Sequence, residues 1–121
     1  MKTIPVANPN IGKNEAKSAY QVIKSGWISM GKKVSEFERK IANYTNTKYA
    51  VAMNNGTSSL DALLSVFNIK DTDEVLVPSL TYISTANVVM YKNANLRLCD
   101  SEISTFNTNS NFIERKITNK T

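Results

Sequence analysis

Apolar residues recur at three- and four-residue steps in two stretches of the first half of the chain. In residues 13–25 the repeat comprises Ala16, Ala19, Tyr20 and Ile23, and in the next stretch it comprises Val34, Phe37, Ile41 and Tyr44. This spacing places each set on one helical face, so it predicts two amphipathic helices within residues 13–45. Gly26 is predicted to end the first helix, because glycine is common directly after the last helical residues. Residues 1–12 contain two prolines and a glycine and are predicted to form an extended arm.

Short apolar runs alternate with helical patterns from residue 46 onward. The runs predict strands at Tyr49–Met53, Val75–Val77 and Leu96–Cys99, and helices are predicted to begin near Thr57, to span 83–92 and to include Phe112, Ile113 and Ile117. Alternating strands and helices are typical of βαβ units. We therefore predict an α/β fold with a mostly parallel sheet flanked by helices, and a βαβαβα unit over residues 46–121.

Three strands make a small sheet. The chain of 121 residues stops directly after a predicted helix, where this pattern would lead into another strand. A sheet that lacks strands exposes an apolar edge. We therefore expect the sequence to be a piece of a larger domain.

The composition excludes several kinds of catalytic and metal site. The chain has no histidine and a single cysteine, Cys99. This excludes a Ser-His-Asp triad, a Cys-His pair, a histidine-ligated metal, an internal disulfide and a cysteine zinc cluster. The acidic side chains that could act as acids or bases fit solvated helix faces or strand ends; they are Glu36, Glu38, Asp61, Glu74 and Asp100. We assign no catalytic and no metal-binding residue.

The charge balance adds little about partners. There are 15 Lys and Arg against 10 Asp and Glu, but no basic run forms a stripe that could follow a nucleic-acid backbone. No apolar run approaches the roughly 20 residues that span a bilayer. The first residues lack the apolar segment of a secretory signal. We expect neither nucleic acid nor membrane as a partner, and a cytoplasmic location.

The sharpest local feature is the polar loop 54–59, which follows an apolar run and opens a predicted helix. A helix amino terminus offers unpaired N–H groups and the positive end of the helix dipole. Gly56 lets the backbone approach a ligand, and Thr57, Ser58 and Ser59 add hydroxyl donors. The loop therefore predicts an anion site, most plausibly for a phosphate. The alternative is that Thr57 or Ser58 merely caps the helix, and the local pattern alone favours that alternative.

Two further segments could lie near such a ligand. Tyr82 follows the strand that ends at Pro78, and ligands of open α/β sheets bind beyond the carboxyl ends of strands. Its ring could lie flat on a planar ligand or pack on its own helix, and taken alone the second is favoured. Trp27 stands between two glycines, either as a core anchor or in a loop that approaches the site; the residues favour the anchor.

The segments together resemble the DegT/DnrJ/StrS family of pyridoxal-phosphate-dependent sugar aminotransferases. The resemblance runs in order over nearly the whole chain. It is carried by Gly26-Trp27-Ile28-Ser29 with Gly31, Val34 and Phe37-Glu38, by Tyr49-Ala50-Val51-Ala52 with Asn55-Gly56-Thr57, and by Asp73-Glu74-Val75 with Val77-Pro78 and Thr81-Tyr82. The patterns Thr81-Tyr82-Ile83 and Ile117-Thr118-Asn119-Lys120-Thr121 most resemble perosamine-synthase-like members.

The resemblance implies the amino-terminal part of the large, pyridoxal-phosphate-binding domain of the aspartate-aminotransferase-like fold, fold type I. It implies that Gly56, Thr57 and Ser58 hold the cofactor phosphate and that Tyr82 stacks on the pyridine ring. Ser29 and Met30 would lie near the substrate. The complete enzyme would transfer an amino group from glutamate to a nucleotide-linked 4-keto-6-deoxysugar, as a homodimer.

The sequence departs from the family's pattern in two turns and in length. Thr72 and Asn93 stand where glycine is usual, and such turns often need a positive φ, which Asn tolerates better than Thr. The lysine that forms the Schiff base and the aspartate that pairs with the pyridine nitrogen lie downstream in the family, beyond this chain. We expect the chain alone to be inactive. The alternative is a small stand-alone α/β module that binds a phosphorylated ligand without catalysis.

Overall fold

The computed structural model describes residues 3–121 and contains, in that range, five helices and two strands. In chain order these are α1 (Lys13–Lys24), α2 (Lys32–Thr45), α3 (Gly56–Val66), β1 (Glu74–Pro78), α4 (Ser84–Tyr91), β2 (Asn95–Cys99) and α5 (Ser110–Glu114). The chain forms two compact units, of which one ends at Ala52 and the other begins at Met53. No helix among the described residues is long and apolar enough to cross a membrane.

The first unit contains the two helices predicted from the 13–45 pattern. The Glu15 carboxylate accepts a hydrogen bond from the Gly12 N–H group at 2.7 Å. Hydrogen bonds from the backbone N–H groups of Glu15 itself and of Gly12 lower the pKa of this carboxyl group. Gly26 follows α1 with a φ of +75°, so the prediction that it ends the helix is confirmed. Residues 3–12 of the predicted arm have no regular structure and are exposed, and Met1 and Lys2 lie outside the described residues.

The predicted strand at Tyr49–Met53 is wrong. The segment has no strand assignment, and its backbone pairs with no other backbone group among residues 3–121. The Ala52 N–H group instead donates to the Glu38 carboxylate at 2.9 Å. Tyr49 and Val51 stay exposed. An apolar run has the composition of a strand, but a strand also needs a neighbouring strand to pair with.

The second unit is built on a β-α-β arrangement. β1 and β2 pair in parallel, with Val75 opposite Leu96 and Val77 opposite Leu98, and α4 connects them. This confirms the α/β class and the parallel sheet, although the sheet of the described chain has two strands instead of three. α4 packs against α3 and both strands. The core comprises Val77, Val89 and Ala94, surrounded by Leu64, Ile69, Val75 and Leu96.

The two turns that depart from the family pattern differ in conformation. Asn93, directly after α4, has a φ of +54°, as predicted for a position where glycine is usual. Thr72 does not have a positive φ, so the same expectation is wrong there. The side chain of Asn tolerates the left-handed region because it is short and polar, which explains its use before the buried Ala94.

Glu74 lies at the amino end of β1, at the edge of the sheet opposite to Pro78. Its carboxylate accepts hydrogen bonds from Arg97 at 3.2 Å, from Thr118 at 3.1 Å and from Thr121 at 3.0 Å. Burial raises the pKa of Glu74, but the hydrogen bonds from Thr121, Thr118 and Arg97 outweigh it and the net pKa is lowered. The charge of Glu74 is therefore compensated at this edge of the sheet.

Candidate functional site

The start of α3 is capped by Asn55. The Asn55 Oδ1 atom accepts a hydrogen bond from the Ser58 N–H group at 2.9 Å, and the Asn55 carbonyl accepts one from the Ser59 N–H group at 3.3 Å. The alternative that Thr57 or Ser58 caps the helix is therefore wrong, because the cap precedes the first helical residue. Sequence reasoning missed this role, although Asn is a preferred capping residue. The N–H groups of Gly56 and Thr57 have no partner within the helix.

The glycine at position 56 is required neither by the backbone nor by packing. Gly56 is not among the residues with a positive φ. A Cβ atom built on Gly56 would meet nothing within 4 Å. A ligand could therefore approach the unpaired N–H groups at this helix start without a steric barrier. This open space fits a phosphate, which binds most favourably where backbone N–H groups converge.

Two hydroxyl groups beside that space have no partner of their own. Thr57 and Ser58 are half-buried, and their hydroxyl groups bond to no residue from 3 to 121. The Ser59 hydroxyl, in contrast, donates to the Asn55 carbonyl at 3.3 Å. Asp61, farther along α3, forms an ion pair with Lys92 at 2.7 Å. The start of α3 thus offers hydrogen-bond donors. The negative charge of Asp61 is compensated by Lys92.

α3 and α4 begin at the same edge of the sheet. Lys92, which caps the end of α4, donates to the hydroxyl of Ser65 near the end of α3 at 2.8 Å. α3 leads into β1 and α4 leads into β2, and the two strands are parallel, so both helices begin on the side of the carboxyl ends of the strands. The loop before α4 and the loop before α3 therefore share the edge formed by the carboxyl ends of the strands.

Tyr82 presents its ring to the surface at this edge. Its side chain is 76% exposed, so the alternative that it packs on its own helix is wrong. The Tyr82 carbonyl accepts a hydrogen bond from the Thr85 N–H group at 3.0 Å, which holds the backbone at the start of α4. An exposed aromatic ring at the same sheet edge as a group of anion donors can cover a flat ligand that carries a phosphate. The predicted stacking stays a prediction.

Ser29 and Met30 lie in the first unit, in the loop between α1 and α2. Ser29 lines a groove of about 1110 Å³ together with Trp27, whereas Met30 does not line it and is 74% exposed. Trp27 is also largely exposed, so the expectation of a core anchor is wrong. The structure thus groups Gly56, Thr57, Ser58 and Tyr82 in one unit and leaves the two residues expected near the substrate in the other.

A model of the DegT/DnrJ/EryC1/StrS aminotransferase family matches residues 9–121. The GDP-perosamine synthase of Escherichia coli O157:H7 is 38% identical over 122 residues, which cover 100% of this chain and 34% of the relative. The GDP-perosamine synthase of Caulobacter vibrioides is 41% identical over 119 residues, which cover 98% of this chain and 32% of the relative. The chain spans about a third of the length of these curated relatives.

Solved structures show the same architecture. The Streptococcus pneumoniae protein Spr1654 superimposes with a TM-score of 0.89 at 33% identity, over 98% of this chain and 30% of that protein, and it has been solved in PLP and PMP forms. The aminotransferase from Psychrobacter cryohalolentis gives a TM-score of 0.88 at 31% identity, over 97% of this chain and 30% of that chain. Both carry the fold predicted for this sequence.

Proposed function

Because the chain belongs to the DegT/DnrJ/EryC1/StrS aminotransferase family, we propose that it is the amino-terminal part of the cofactor-binding domain of a sugar aminotransferase. The family resemblance and the fold class predicted from the sequence are confirmed. In this proposal residues 1–12 form the arm, residues 13–45 the two leading helices, and residues 46–121 the part that binds the cofactor. The coverage of about a third of each relative supports a part of a longer enzyme.

The cofactor of the proposed enzyme is pyridoxal 5'-phosphate, and its phosphate would be held at the start of α3. The observation that carries this assignment is the open space above Gly56, next to two unpaired N–H groups and the free hydroxyls of Thr57 and Ser58. Tyr82 would cover the pyridine ring from the same edge of the sheet. These neutral donors lie at the positive end of the α3 dipole, which suits a phosphate.

Pyridoxal phosphate, when bound, supplies an electron sink that allows an amino group to pass between carbon skeletons. We propose that the complete enzyme takes the amino group from glutamate and delivers it to a nucleotide-linked 4-keto-6-deoxysugar. The names of the relatives, GDP-perosamine synthase and a dTDP-amino-sugar transaminase, support a nucleotide-linked sugar. Ser29 and Met30 are proposed to contact that substrate. A homodimer and a cytoplasmic location belong to the same proposal.

We assign no lysine of this chain to the Schiff base. Lys92 is the lysine that contacts α3, and it is engaged by Asp61 at 2.7 Å and by Ser65 at 2.8 Å. In the family the lysine that forms the Schiff base lies downstream of the matched segment. The chain by itself is therefore proposed to bind the cofactor phosphate without transferring an amino group.

Phosphate binding is tested with 4'-deoxypyridoxine 5'-phosphate, which lacks the aldehyde and so forms no imine with surface lysines. Its affinity for the purified chain is measured by isothermal titration calorimetry. Thr57→Val and Ser58→Ala are each expected to weaken binding by about tenfold or more, because each removes a hydrogen bond to a charged group. Ser59→Ala is the matched control, since the Ser59 hydroxyl is already bonded to Asn55. Equal losses in all three variants would contradict the assignment.

The absence of catalysis is tested separately. The chain is incubated with pyridoxal phosphate, reduced with borohydride and mapped by peptide mass spectrometry. We expect scattered, substoichiometric lysine adducts and no turnover with glutamate. A stoichiometric adduct at one lysine, or turnover, would show that this chain contains the nucleophile after all.

A further inference from the structure

Trp27 is attached at three points to the loop that connects α1 and α2. Its indole Nε1–H group donates to the Met30 carbonyl at 3.0 Å. Its backbone N–H group donates to the Ser25 hydroxyl at 3.2 Å, and that hydroxyl donates to the Val22 carbonyl at 2.7 Å. The end of α1 and the loop are therefore connected through Trp27, by its backbone N–H group on one side and its indole on the other.

The third attachment is the close approach of the indole to Gly31. A Cβ atom on Gly31 would overlap Trp27 Nε1 and would lie 2.6 Å from Trp27 Cδ1, so any other residue would displace the ring. Gly31 has a φ of −168°, an extended conformation that every residue adopts, so its backbone does not require glycine. The glycine at this position is explained by the tryptophan alone.

Gly31 in turn is the N-cap residue of α2. Its carbonyl accepts hydrogen bonds from the N–H groups of Val34 at 3.0 Å and Ser35 at 3.1 Å. The indole thus lies against the N-cap residue of α2. The loop Gly26–Gly31 is therefore bonded at both ends. Ser29 and Met30 lie in the middle of that span.

Burial does not explain why a tryptophan stands here. Its side chain is 64% exposed, so the residue removes only a minor part of its apolar surface from water. Ile28 and Met30 beside it are exposed as well, at 79% and 74%. What the indole contributes is geometric, because its donor and its flat face together set the path of the loop.

We propose that Trp27 is a positioning residue that holds the loop Gly26–Gly31 in the conformation in which Ser29 and Met30 meet the nucleotide-linked sugar. This inference rests on the proposed function, because that function supplies the substrate. Trp27 acts through the Met30 carbonyl and the Gly31 backbone and does not itself contact the sugar. A loop held in its binding conformation loses less freedom when the substrate binds, which strengthens binding.

The first test measures the loop without a substrate. Trp27→Phe keeps an aromatic ring and removes the N–H donor, and Gly31→Ala pushes the indole off the cap. By ¹⁵N relaxation of the purified chain, the order parameters of the Ser29 and Met30 amides are expected to fall from about 0.85 to below about 0.6 in both variants. The control is Tyr20→Phe, an exposed aromatic residue on α1. Unchanged order parameters in Trp27→Phe would overturn the positioning role, and Gly31→Ala checks this independently through the emission of the only tryptophan in the chain.

The second test adds GDP-mannose and dTDP-glucose as substrate probes, titrated by calorimetry. Trp27→Phe is expected to weaken binding of the preferred probe about three- to tenfold, the value of one net hydrogen bond. Helical circular dichroism should match that of the unmodified chain, so that a loss cannot come from unfolding. Weaker order with unchanged affinity would overturn the link to the substrate. If the unmodified chain binds neither probe but the order parameters of Ser29 and Met30 still fall in Trp27→Phe, the proposed substrate is wrong. The role of Trp27 in holding the loop is then retained.

Discussion

Replacing Gly56 by alanine is expected to change stability and cofactor binding in opposite directions. In the structure nothing lies within 4 Å of a Cβ atom at this position, and the φ is not positive. Alanine is therefore accommodated in the free chain without strain. The added methyl group would, however, occupy the space in which the phosphate is proposed to meet the N–H groups of Gly56 and Thr57.

The two magnitudes follow from these facts. Glycine inside a helix is less favourable than alanine by roughly 0.5–1 kcal/mol. Because Gly56 is the first residue of α3, we expect the free energy of unfolding to rise by about 0–0.5 kcal/mol. Loss of one hydrogen bond to a charged group costs about 1.5–3 kcal/mol, so the dissociation constant of the cofactor should rise about ten- to a hundredfold.

Two measurements on the same samples test this. Urea unfolding followed by far-UV circular dichroism gives the free energy of unfolding, and calorimetric titration with 4'-deoxypyridoxine 5'-phosphate gives the affinity. Gly12→Ala is the control for the affinity alone, because Gly12 is the N-cap residue of α1 and has no proposed ligand. It should leave the affinity unchanged.

Two combinations of results would refute the reasoning. If Gly56→Ala lowers the free energy of unfolding and leaves the affinity unchanged, the glycine serves the backbone and not a ligand. If both quantities are unchanged, the open space is not the phosphate site. The proposed site survives only if binding weakens while stability is maintained.

Three further predictions concern stability and ionisation. Val89→Ala, at a side chain that is 1% exposed, should lower the free energy of unfolding in urea by about 1–2.5 kcal/mol, whereas Val66→Ala, at a side chain that is 80% exposed, should change it by less than about 0.5 kcal/mol. Asn93→Ala should lower the same quantity by about 1 kcal/mol and Asn93→Gly should not, because Asn93 has a φ of +54°; equal effects would contradict the backbone explanation. Hydrogen bonds from Lys40 and Lys33 lower the pKa of Glu36 to about 2, so its stabilising contribution is complete above about pH 4.5 and is lost as the pH falls toward 2; ¹³C NMR titration of the carboxyl should show that pKa, and Lys40→Gln should raise it.

The residues of the candidate site could be named from the sequence because they are close in the chain, although the local pattern alone favoured a helix cap and only the family resemblance favoured a phosphate. A glycine and two hydroxyl residues at the start of an amphipathic helix indicate an anion site wherever the helix lies in the fold. The residue that caps the helix was not recognised, because several polar residues stand in a row and only the helix boundary decides which of them is the cap. That boundary places the cap at Asn55 and leaves the hydroxyls of Thr57 and Ser58 unpaired.

The loop with Trp27 shows the limit of such reasoning. Its composition is compatible with a core residue and with a surface loop, because both use large apolar side chains. Whether Trp27 is a core residue or a loop residue depends on the contacts of its indole with Met30 and Gly31, and the pattern of residues does not reveal these contacts. The same applies to Lys92 and Asp61, which pair across two helices far apart in the chain.

What the sequence determined by itself was the helices, the α/β class and a polar start of α3 that predicts an anion site, because the period of apolar side chains and the preferences of helix ends act within a few residues. The tertiary structure alone decided that residues 49–53 remain unpaired, which residues of β1 and β2 lie opposite each other, and that Lys92 pairs with Asp61. Strand pairing and helix packing join residues that are distant in the chain. Local patterns therefore specify which segments can form an element, and long-range contacts select which of them do.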